Sequence, residues 1–183
     1  MSAFVVGCTH FEDPSILKFR PQFTSLEDMH NKITQSWNSS VKDNDTVYIL
    51  GDFALSKIDY WTHELKGNKV LVLGNHDKHA VHGGCFTTVE QSLLLRLPIY
   101  GEMAKPQEIF LFHYPCLSWD GRSDGGIHLH AHSHGNLPTS LPDKPGPDRL
   151  DMSVDCWDHW PVPIEEAIDV VKKKETFEHN KEK

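Results

Sequence analysis

The chain has 183 residues, of which 38% are hydrophobic, and its formal net charge is -8 at pH 7. This length suits one well-cored domain, and the acidic balance argues against a general nucleic-acid-binding protein, which would carry a basic patch. The four cysteines are widely separated and form no C-x-x-C pair, so neither a zinc finger nor a disulfide framework fits.

Short β-branched and aromatic runs predict strands, and they alternate with segments whose apolar residues recur at helical spacing. Leu26, Met29, Ile33 and Trp37 have that spacing, and Ser25 before them is a helix-capping residue. The region 136–149 holds four of the eleven prolines, which predicts an irregular loop. In chain order the predicted elements are strand 4–6, helix 25–39, strand 46–50, helix 59–65, strands 69–73, 108–112, 128–131 and 150–156, and helix 164–173.

The organisation expected from this pattern is a single domain over residues 1–175, followed by a solvated tail over residues 176–183. The start, MSAFVVGC, lacks the basic residue and the long apolar run of a signal peptide. No later stretch has the length and apolarity of a membrane span. We therefore expect a soluble, cytoplasmic protein without a membrane partner.

Histidine is overrepresented, with 13 residues in the chain, and several histidines are grouped just past predicted strands. Strands joined by helices end along one edge of a sheet, so five separate segments would point their side chains into one cleft. Nitrogen, oxygen and one sulfur suit zinc, iron, manganese or nickel better than calcium or magnesium. The seven candidate ligands are Cys8, His10, Asp52, Asn75, His113, His132 and His134, and His76 lies beside them in sequence. Seven ligands are about the number that two metal ions need. Asp52 is the expected bridging ligand, because it is the only acid at a strand end in the cluster.

The order of the segments GCTH, GDFA, GNHD, FHYP and AHSH resembles the calcineurin-like metallophosphoesterase superfamily. The pattern of that family is D-x-H, G-D, G-N-H-[DE], a lone histidine and G-H-x-H. The chain is most similar to the small, uncapped bacterial and phage members, through Arg20-Pro21 and the segments 27–29, 38–41 and 45–53. This resemblance covers residues 4–168, and it is specific for the superfamily but uninformative about the substrate.

The resemblance implies a fold and a set of roles. The fold would be α/β, a four-layer α-β-β-α sandwich with two β-sheets packed face to face and helices outside. His76 would assist the leaving oxygen as a catalytic residue without binding metal, and Asp52 would serve both ions. The implied ligands are Cys8, His10, Asp52 and His134 for the first ion, and Asp52, Asn75, His113 and His132 for the second. The implied reaction is hydrolysis of a phosphate ester by in-line attack of a hydroxide that bridges the two ions.

Position 8 departs from the family pattern, which has aspartate where this chain has Cys8. A thiolate keeps the charge of -1 and binds zinc or iron well. Metal binding would also deprotonate a thiol whose usual pKa is about 8.5. If Cys8 binds metal, we expect zinc or iron rather than magnesium or manganese. If it does not, whether the substitution is natural or engineered, the first ion keeps only His10, Asp52 and His134 and is weakly held.

Other departures surround the same segments. Many relatives have an acid that orients the catalytic histidine where this chain has Leu55, which leaves Asp77 or a backbone carbonyl for that role. Ala131 replaces the glycine before His132 and requires only an ordinary backbone angle. The family's Gly-His is replaced by Glu12 and Asp13, for which we favour a solvated turn over cation binding or shielding of the cleft.

Two functions follow from these patterns. The first is a metal-dependent phosphatase or phosphodiesterase that acts on a phosphorylated small molecule or nucleotide in an open cleft. Its candidate substrate-binding residues are Arg20, Asn75 and His76, and the net charge disfavours nucleic acid as a substrate. The second is a non-catalytic relative that serves as a protein-binding module, a reading favoured by the loss of aspartate at position 8. The retained ligand set favours the enzyme.

Overall fold

The computed structural model describes residues 1–78, 85–98, 105–144 and 148–179. Within these residues the chain forms three α-helices, nine strands and several short 3-10 helices. The elements are β1 Ala3–Val6, α1 Leu26–Ser40, β2 Thr46–Ile49, α2 Ile58–Glu64, β3 Asn68–Val72, β4 Thr88–Glu90, β5 Ser92–Leu97, β6 Gln107–Phe112, β7 Ile127–His130, β8 Arg149–Asp151, β9 Val162–Pro163 and α3 Ile164–His179.

The strands form two mixed sheets. The first has the order β4-β3-β2-β1-β9, in which β1 to β4 are parallel and β9 is antiparallel to β1. The second has the order β5-β6-β7-β8, in which β6 to β8 are parallel and β5 is antiparallel to β6. The prediction of an α/β fold with two mixed sheets flanked by helices is confirmed.

One apolar stripe of α1 packs on the five-stranded sheet. Met29, Ile33 and Trp37 are fully buried at helical spacing. Ser25 caps the helix, because its hydroxyl accepts the backbone N–H of Asp28 at 3.1 Å. Burial of a methionine or isoleucine side chain contributes about 1.5–3 kcal/mol, so this stripe fixes the helix against the sheet.

Alternation along β1 divides the interior into two cores. Phe4 and Val6 face the core shared with α1 and α2, and Val5 faces a second core between the sheets. The second core also holds one face of α3. Its members include Val72, Ile109, Leu111, Ile127, Leu129, Leu150, Ile164, Ala167, Ile168 and Val171. Both sheets are therefore anchored to a common interior, and the parallel strands bring their carboxyl ends to one side of it.

The structure differs from the sequence prediction at several elements. The predicted strand 150–156 is replaced by β8, which ends at Asp151, and a 3-10 helix over Val154–Cys156. The last helix runs to His179, beyond its predicted end at 173, and residues 180–183 of the predicted tail lie outside the described residues. The strands β4, β5 and β9 were not predicted, since two are very short and β5 is a half-exposed edge strand. Among the described residues, none of the helices combines the length and apolarity needed to span a membrane.

Candidate metal centre

The loops that follow β1, β2, β6 and β7 are tied together by backbone hydrogen bonds. His10 donates its N–H to the carbonyl of Asp52 at 2.9 Å, and Ala131 donates to the carbonyl of His113 at 3.0 Å. Gly51 has a φ of +80°, and a Cβ there would meet Nδ1 of His113 at 2.5 Å. A glycine at this position therefore allows the loop after β2 to approach the loop after β6.

Five predicted ligands lie on strained backbone. Non-glycine residues rarely adopt positive φ, and such strain costs of order 1–3 kcal/mol per residue and clusters at functional sites. Here the surrounding hydrogen bonds hold the loops in that conformation. The residues and their φ values are Cys8 at 54°, His10 at 53°, Asp52 at 53°, His132 at 64° and His134 at 46°.

The structure brings the ligand atoms into two overlapping groups. In each group the atoms lie within 4.8 Å of one another, and Cys8 belongs to both. The first group is Cys8, His10 and His134, and the second is Cys8, Asp52 and His113. Oδ2 of Asp52 is 3.6 Å from Nε2 of His10 and 3.5 Å from Nε2 of His113. Asp52 therefore lies between the groups, where the sequence predicted a bridging ligand.

Two imidazoles of the first group are oriented by carboxylates. Nδ1 of His10 is 3.1 Å from Oδ2 of Asp13, and Nδ1 of His134 is 2.7 Å from Oδ2 of Asp155. An ionised carboxylate only accepts hydrogen bonds, so each Nδ1 carries the proton. The lone pair of each ring therefore lies on Nε2, the nitrogen that faces the other ligand atoms.

The second group is oriented by the backbone. Nδ1 of His113 donates to the carbonyl of Leu50 at 2.7 Å, which leaves a lone pair on Nε2 of the same ring. That atom faces Oδ2 of Asp52, as does Nε2 of His10, which is buried without a hydrogen-bond partner. The lone pairs of these three atoms therefore converge, and that of His10 has no donor among the described residues. This donor set fits a bound cation, which would satisfy all of these lone pairs at once.

The two orienting carboxylates are held in the ionised form. Burial would raise the pKa of Asp155, but hydrogen bonds from His134 and Arg20 outweigh it and lower that pKa below the ordinary value. For Asp13, burial is likewise outweighed by hydrogen bonds from Ser15, and its pKa is lowered. Both groups therefore remain acceptors for the imidazole protons at neutral pH.

Cys8 is fully buried, and its sulfur accepts the backbone N–H of His132 at 3.2 Å. Burial, and then the charge of Asp52, raise the pKa of its thiol well above the usual value. Burial also lowers the pKa of His10 to about 4, so that ring is neutral at physiological pH. A divalent cation reverses the local charge and deprotonates a coordinating thiol, so metal binding and ionisation of Cys8 are coupled.

The other predicted residues lie at the cleft surface. Oδ1 of Asn75 is 3.1 Å and Nδ1 of His132 is 3.2 Å from Nε2 of His113. The ring of His76 is exposed, with its centroid 5.4 Å from that of His10. The backbone N–H of His76 donates to Oδ1 of Asp52 at 2.9 Å. All eight predicted residues are therefore brought to one place.

Asp77 does not orient His76. Its buried carboxylate accepts the backbone N–H groups of Asp52 at 2.7 Å, Phe53 at 2.9 Å and Gly74 at 2.8 Å. Burial raises its pKa in spite of these bonds. Asp77 therefore joins the loop after β2 to the loop after β3, and the sequence prediction that offered it as a partner of His76 is not supported.

The interpretation of Glu12 and Asp13 as a solvated turn is also wrong for Asp13. Its side chain is buried and caps the 3-10 helix over Pro14–Phe19, where Oδ1 accepts the N–H of Ser15 at 2.9 Å. Its other oxygen holds His10, as described above. Glu12 is half-buried and pairs with Lys57 at 3.0 Å. The acid at position 13 therefore orients a predicted ligand.

Arg20 does not fit its predicted role in binding phosphate. Its side chain is fully buried, and it does not line the cleft. The guanidinium donates instead to both oxygens of Asp155 and to the backbone carbonyls of Cys8 and Thr9. Its donors are therefore directed at the protein, behind the ligand groups.

Sequence reasoning missed the acids that follow β7. Oδ2 of Asp151 accepts the hydroxyl of Ser133 at 2.6 Å and the N–H of Gly135 at 3.0 Å, and so it holds the loop between His132 and His134. Asp155 holds the ring of His134. Alternation of polar and apolar residues was a usable signal for Asp151, at the end of β8, but not for Asp155, which lies in the 3-10 helix.

The cleft above the centre has a volume of about 450 Å³. In the described part of the chain, its charged lining is acidic or histidine, with neither lysine nor arginine. The lining residues are His10, Asp13, Ser15, Ile16, Phe19, Asp52, Asn75, His76, His132, Ser133, His134, Asn136 and Asp155.

No family model matches the chain. It is 29% identical over 178 residues to an uncharacterized protein of Methanocaldococcus jannaschii, with 93% of this chain and 91% of that protein covered. It is 26% identical over 175 residues to the Gene 66 protein of Mycobacterium phage L5, with 81% and 84% covered. A crystal structure of a protein of unknown function from Aquifex aeolicus matches with a TM-score of 0.70 at 22% identity, covering 92% of this chain and 98% of that one. These matches show a shared fold without an assigned activity.

Proposed function

We propose that this protein is a metal-dependent phosphoesterase of the calcineurin-like type, with a dinuclear centre. The observation that carries the proposal is the pair of overlapping ligand groups, which share Cys8 and have Asp52 between them. The ordered motifs that resemble this superfamily, on a fold with two mixed sheets, support it further. The thiol of Cys8 favours zinc or iron as the bound ions.

The chemistry needs both the ions and the protein side chains. Two bound cations would supply an activated water at neutral pH and charge stabilisation for the phosphate oxygens. Asn75 contributes an amide oxygen without charge, and the imidazoles of His113 and His132 are neutral donors in this role. A centre with few anionic ligands keeps a net positive charge, which attracts the phosphate.

His76 is the proposed acid. Its backbone N–H is held by Asp52, while its ring is exposed in the cleft beside His10. A ring in that position can donate a proton to the leaving oxygen of a bound ester. Such a role contributes about 10²–10⁴-fold in rate.

The proposed substrate is a phosphorylated small molecule or nucleotide with a single phosphate at the centre. The cleft volume of about 450 Å³ is in the range of small-molecule sites. Its described lining has no lysine or arginine that would bind a second phosphate group. The same acidic lining disfavours a long polyanion such as nucleic acid.

The first test is metal content and hydrolysis on one preparation, purified without chelator or a metal-affinity tag. We expect two equivalents of metal per chain, and hydrolysis of nitrophenyl phosphate mono- or diesters that a chelator removes and added zinc, iron, manganese or nickel restores. An Asp52→Asn variant, purified in parallel, controls for contaminating hydrolases. Less than one equivalent of metal, with no hydrolysis under any of these metals, would contradict the proposal and favour a non-catalytic protein-binding module.

A further inference from the structure

A buried ion pair lies directly behind the first ligand group. Nε and Nη2 of Arg20 donate to Oδ1 and Oδ2 of Asp155 at 2.7 and 2.8 Å. Arg20 is fully buried, and the side chain of Asp155 is only 16% exposed. The two residues are 135 positions apart in the chain, so their contact joins the segment after β1 to the segment after β8.

Arg20 also holds the loop that carries two candidate ligands. Nη2 donates to the carbonyl of Cys8 at 2.6 Å, and Nη1 donates to the carbonyl of Thr9 at 3.2 Å. These carbonyls flank the backbone between Cys8 and His10, both of which have left-handed φ angles. The planar guanidinium thereby fixes a strained loop and a carboxylate at the same time.

Asp155 transmits this constraint to a third ligand. The carboxylate oxygen Oδ2 that accepts from Arg20 is 2.7 Å from Nδ1 of His134. This contact sets the tautomer and the angle of the ring, and a carboxylate partner makes the imidazole a stronger donor toward a metal. Arg20 and Asp155 thus hold the backbone of Cys8 and the ring of His134, and they reach His10 through the carbonyl of its neighbour Thr9.

We propose that Arg20 and Asp155 form a positioning pair that sets the metal affinity of the first ligand group. Desolvation makes a buried ion pair a poor source of stability on its own, and apolar residues of similar volume often stabilise equally well. The pair instead constrains the loop that carries Cys8 and His10 and, at the same time, the ring of His134. This inference rests on the proposed metal-dependent function. Because Asp155 holds His134 of the first group, whereas His113 of the second group is held by the carbonyl of Leu50, it predicts a larger effect on one ion than on the other, even though Cys8 is shared.

The test is cobalt(II) titration of the metal-free full chain, with a competing chelator to give the affinity of each equivalent. Asp155→Asn preserves the shape of the side chain but removes its charge, and Arg20→Lys replaces the planar group with one that cannot make all four contacts. Asp158→Asn is the matched control, because Asp158 is in the same segment, pairs only with Lys32 at 3.0 Å among the described ion pairs, and is 78% exposed.

We expect both variants to weaken one of the two equivalents by about 10–100-fold and to leave the other within about threefold, while Asp158→Asn changes neither. The thiolate-to-cobalt absorption of Cys8 should change in the same titration. Unchanged affinities in both variants, with two equivalents bound by the unaltered protein, would overturn this inference alone. Loss of the folded state in the metal-free variants, measured by circular dichroism, would overturn it by making the pair a general stabilising feature. Absence of cobalt binding by the unaltered protein would overturn the proposed function as well.

Discussion

The two ligand groups differ in the hydrogen-bond partners that orient their histidine rings. In the first group, His10 and His134 each direct Nδ1 at a carboxylate, from Asp13 and Asp155 respectively. In the second group, His113 directs Nδ1 at the backbone carbonyl of Leu50. Carboxylates thus orient the rings of the first group, whereas a backbone carbonyl orients the ring of His113, although Cys8 and Asp52 lie within reach of both groups.

This difference has an electrostatic consequence. A carboxylate partner on the far nitrogen strengthens an imidazole as a metal ligand. We therefore expect the first group to hold its ion more tightly. The ion of the second group, beside which Asn75 and His132 are exposed, should exchange more readily. The following variants test whether the centre holds one ion tightly and the other weakly.

The largest effect is expected from Asp52→Asn, which removes the charge between the groups. We expect metal content to fall from two equivalents to one or none, and hydrolysis to fall by more than about 10³-fold, because several kcal/mol of charge stabilisation is lost. Elemental analysis and nitrophenyl ester hydrolysis measure the two effects. Retention of both ions by this variant would show that the groups are independent sites rather than one centre.

A large effect on rate without an effect on metal is expected from His76→Gln. Hydrolysis of an ester with a poor, alkyl leaving group should fall by about 10²–10⁴-fold, because that oxygen needs a proton. A nitrophenyl ester should be affected much less, since its leaving group departs as an anion. Equal losses on both esters, or a lost equivalent of metal, would mean that His76 belongs to the ligand groups.

An intermediate effect is expected from Cys8→Asp, which restores a carboxylate where Cys8 is shared by both groups. Zinc affinity should fall by about tenfold or more, and manganese should be accepted more readily, because the thiolate is the softer ligand. The thiolate-to-cobalt absorption band should disappear, while Cys116→Ser, at a half-buried position outside both groups, should keep it. A band that survives Cys8→Asp would exclude Cys8 as a ligand.

The smallest effect is the pH dependence of folding stability that arises from His128, a residue outside both ligand groups. Burial lowers the pKa of His128 to about 4, against about 6.5 in an unfolded chain. Between these values the unfolded state binds more protons, so stability rises with pH across that window and is lost on acidification. The loss is up to about 3 kcal/mol over the full window, and His10 contributes in the same direction.

Urea unfolding of the metal-free protein across this pH window measures the effect. His128→Gln should flatten the pH dependence, even though it lowers the overall stability by disturbing the hydrogen bonds of its ring with the Phe110 carbonyl and the Cys116 N–H. His63→Gln, at an exposed position on α2, is the control for a histidine-to-glutamine substitution. An unchanged slope in His128→Gln would assign the acid sensitivity to the ligand groups themselves.

The elements with a strong local pattern followed from the sequence. The stripe of α1 with its Ser25 cap, and the strands β2, β3 and β6, were predicted within one or two residues, because hydrophobic periodicity and capping are local properties. The convergence of the eight site residues was also predicted, although from strand ends along one sheet, whereas the structure brings together the strand ends of two packed sheets. The sequence by itself therefore determined which side chains meet.

Only the tertiary structure decided what holds those side chains in place. The sequence predicted a solvated turn for Asp13 and phosphate binding for Arg20, yet both side chains are buried, Asp13 against His10 and Arg20 against Asp155. Asp155 drew no prediction, although it contacts both Arg20 and His134. The periodicity of a segment indicates which of its sides is buried, but not which distant residue packs against that side. Arg20 and Asp155, for example, are in contact although they are 135 positions apart in the chain. That pairing depends on how the two sheets pack, which no local pattern encodes.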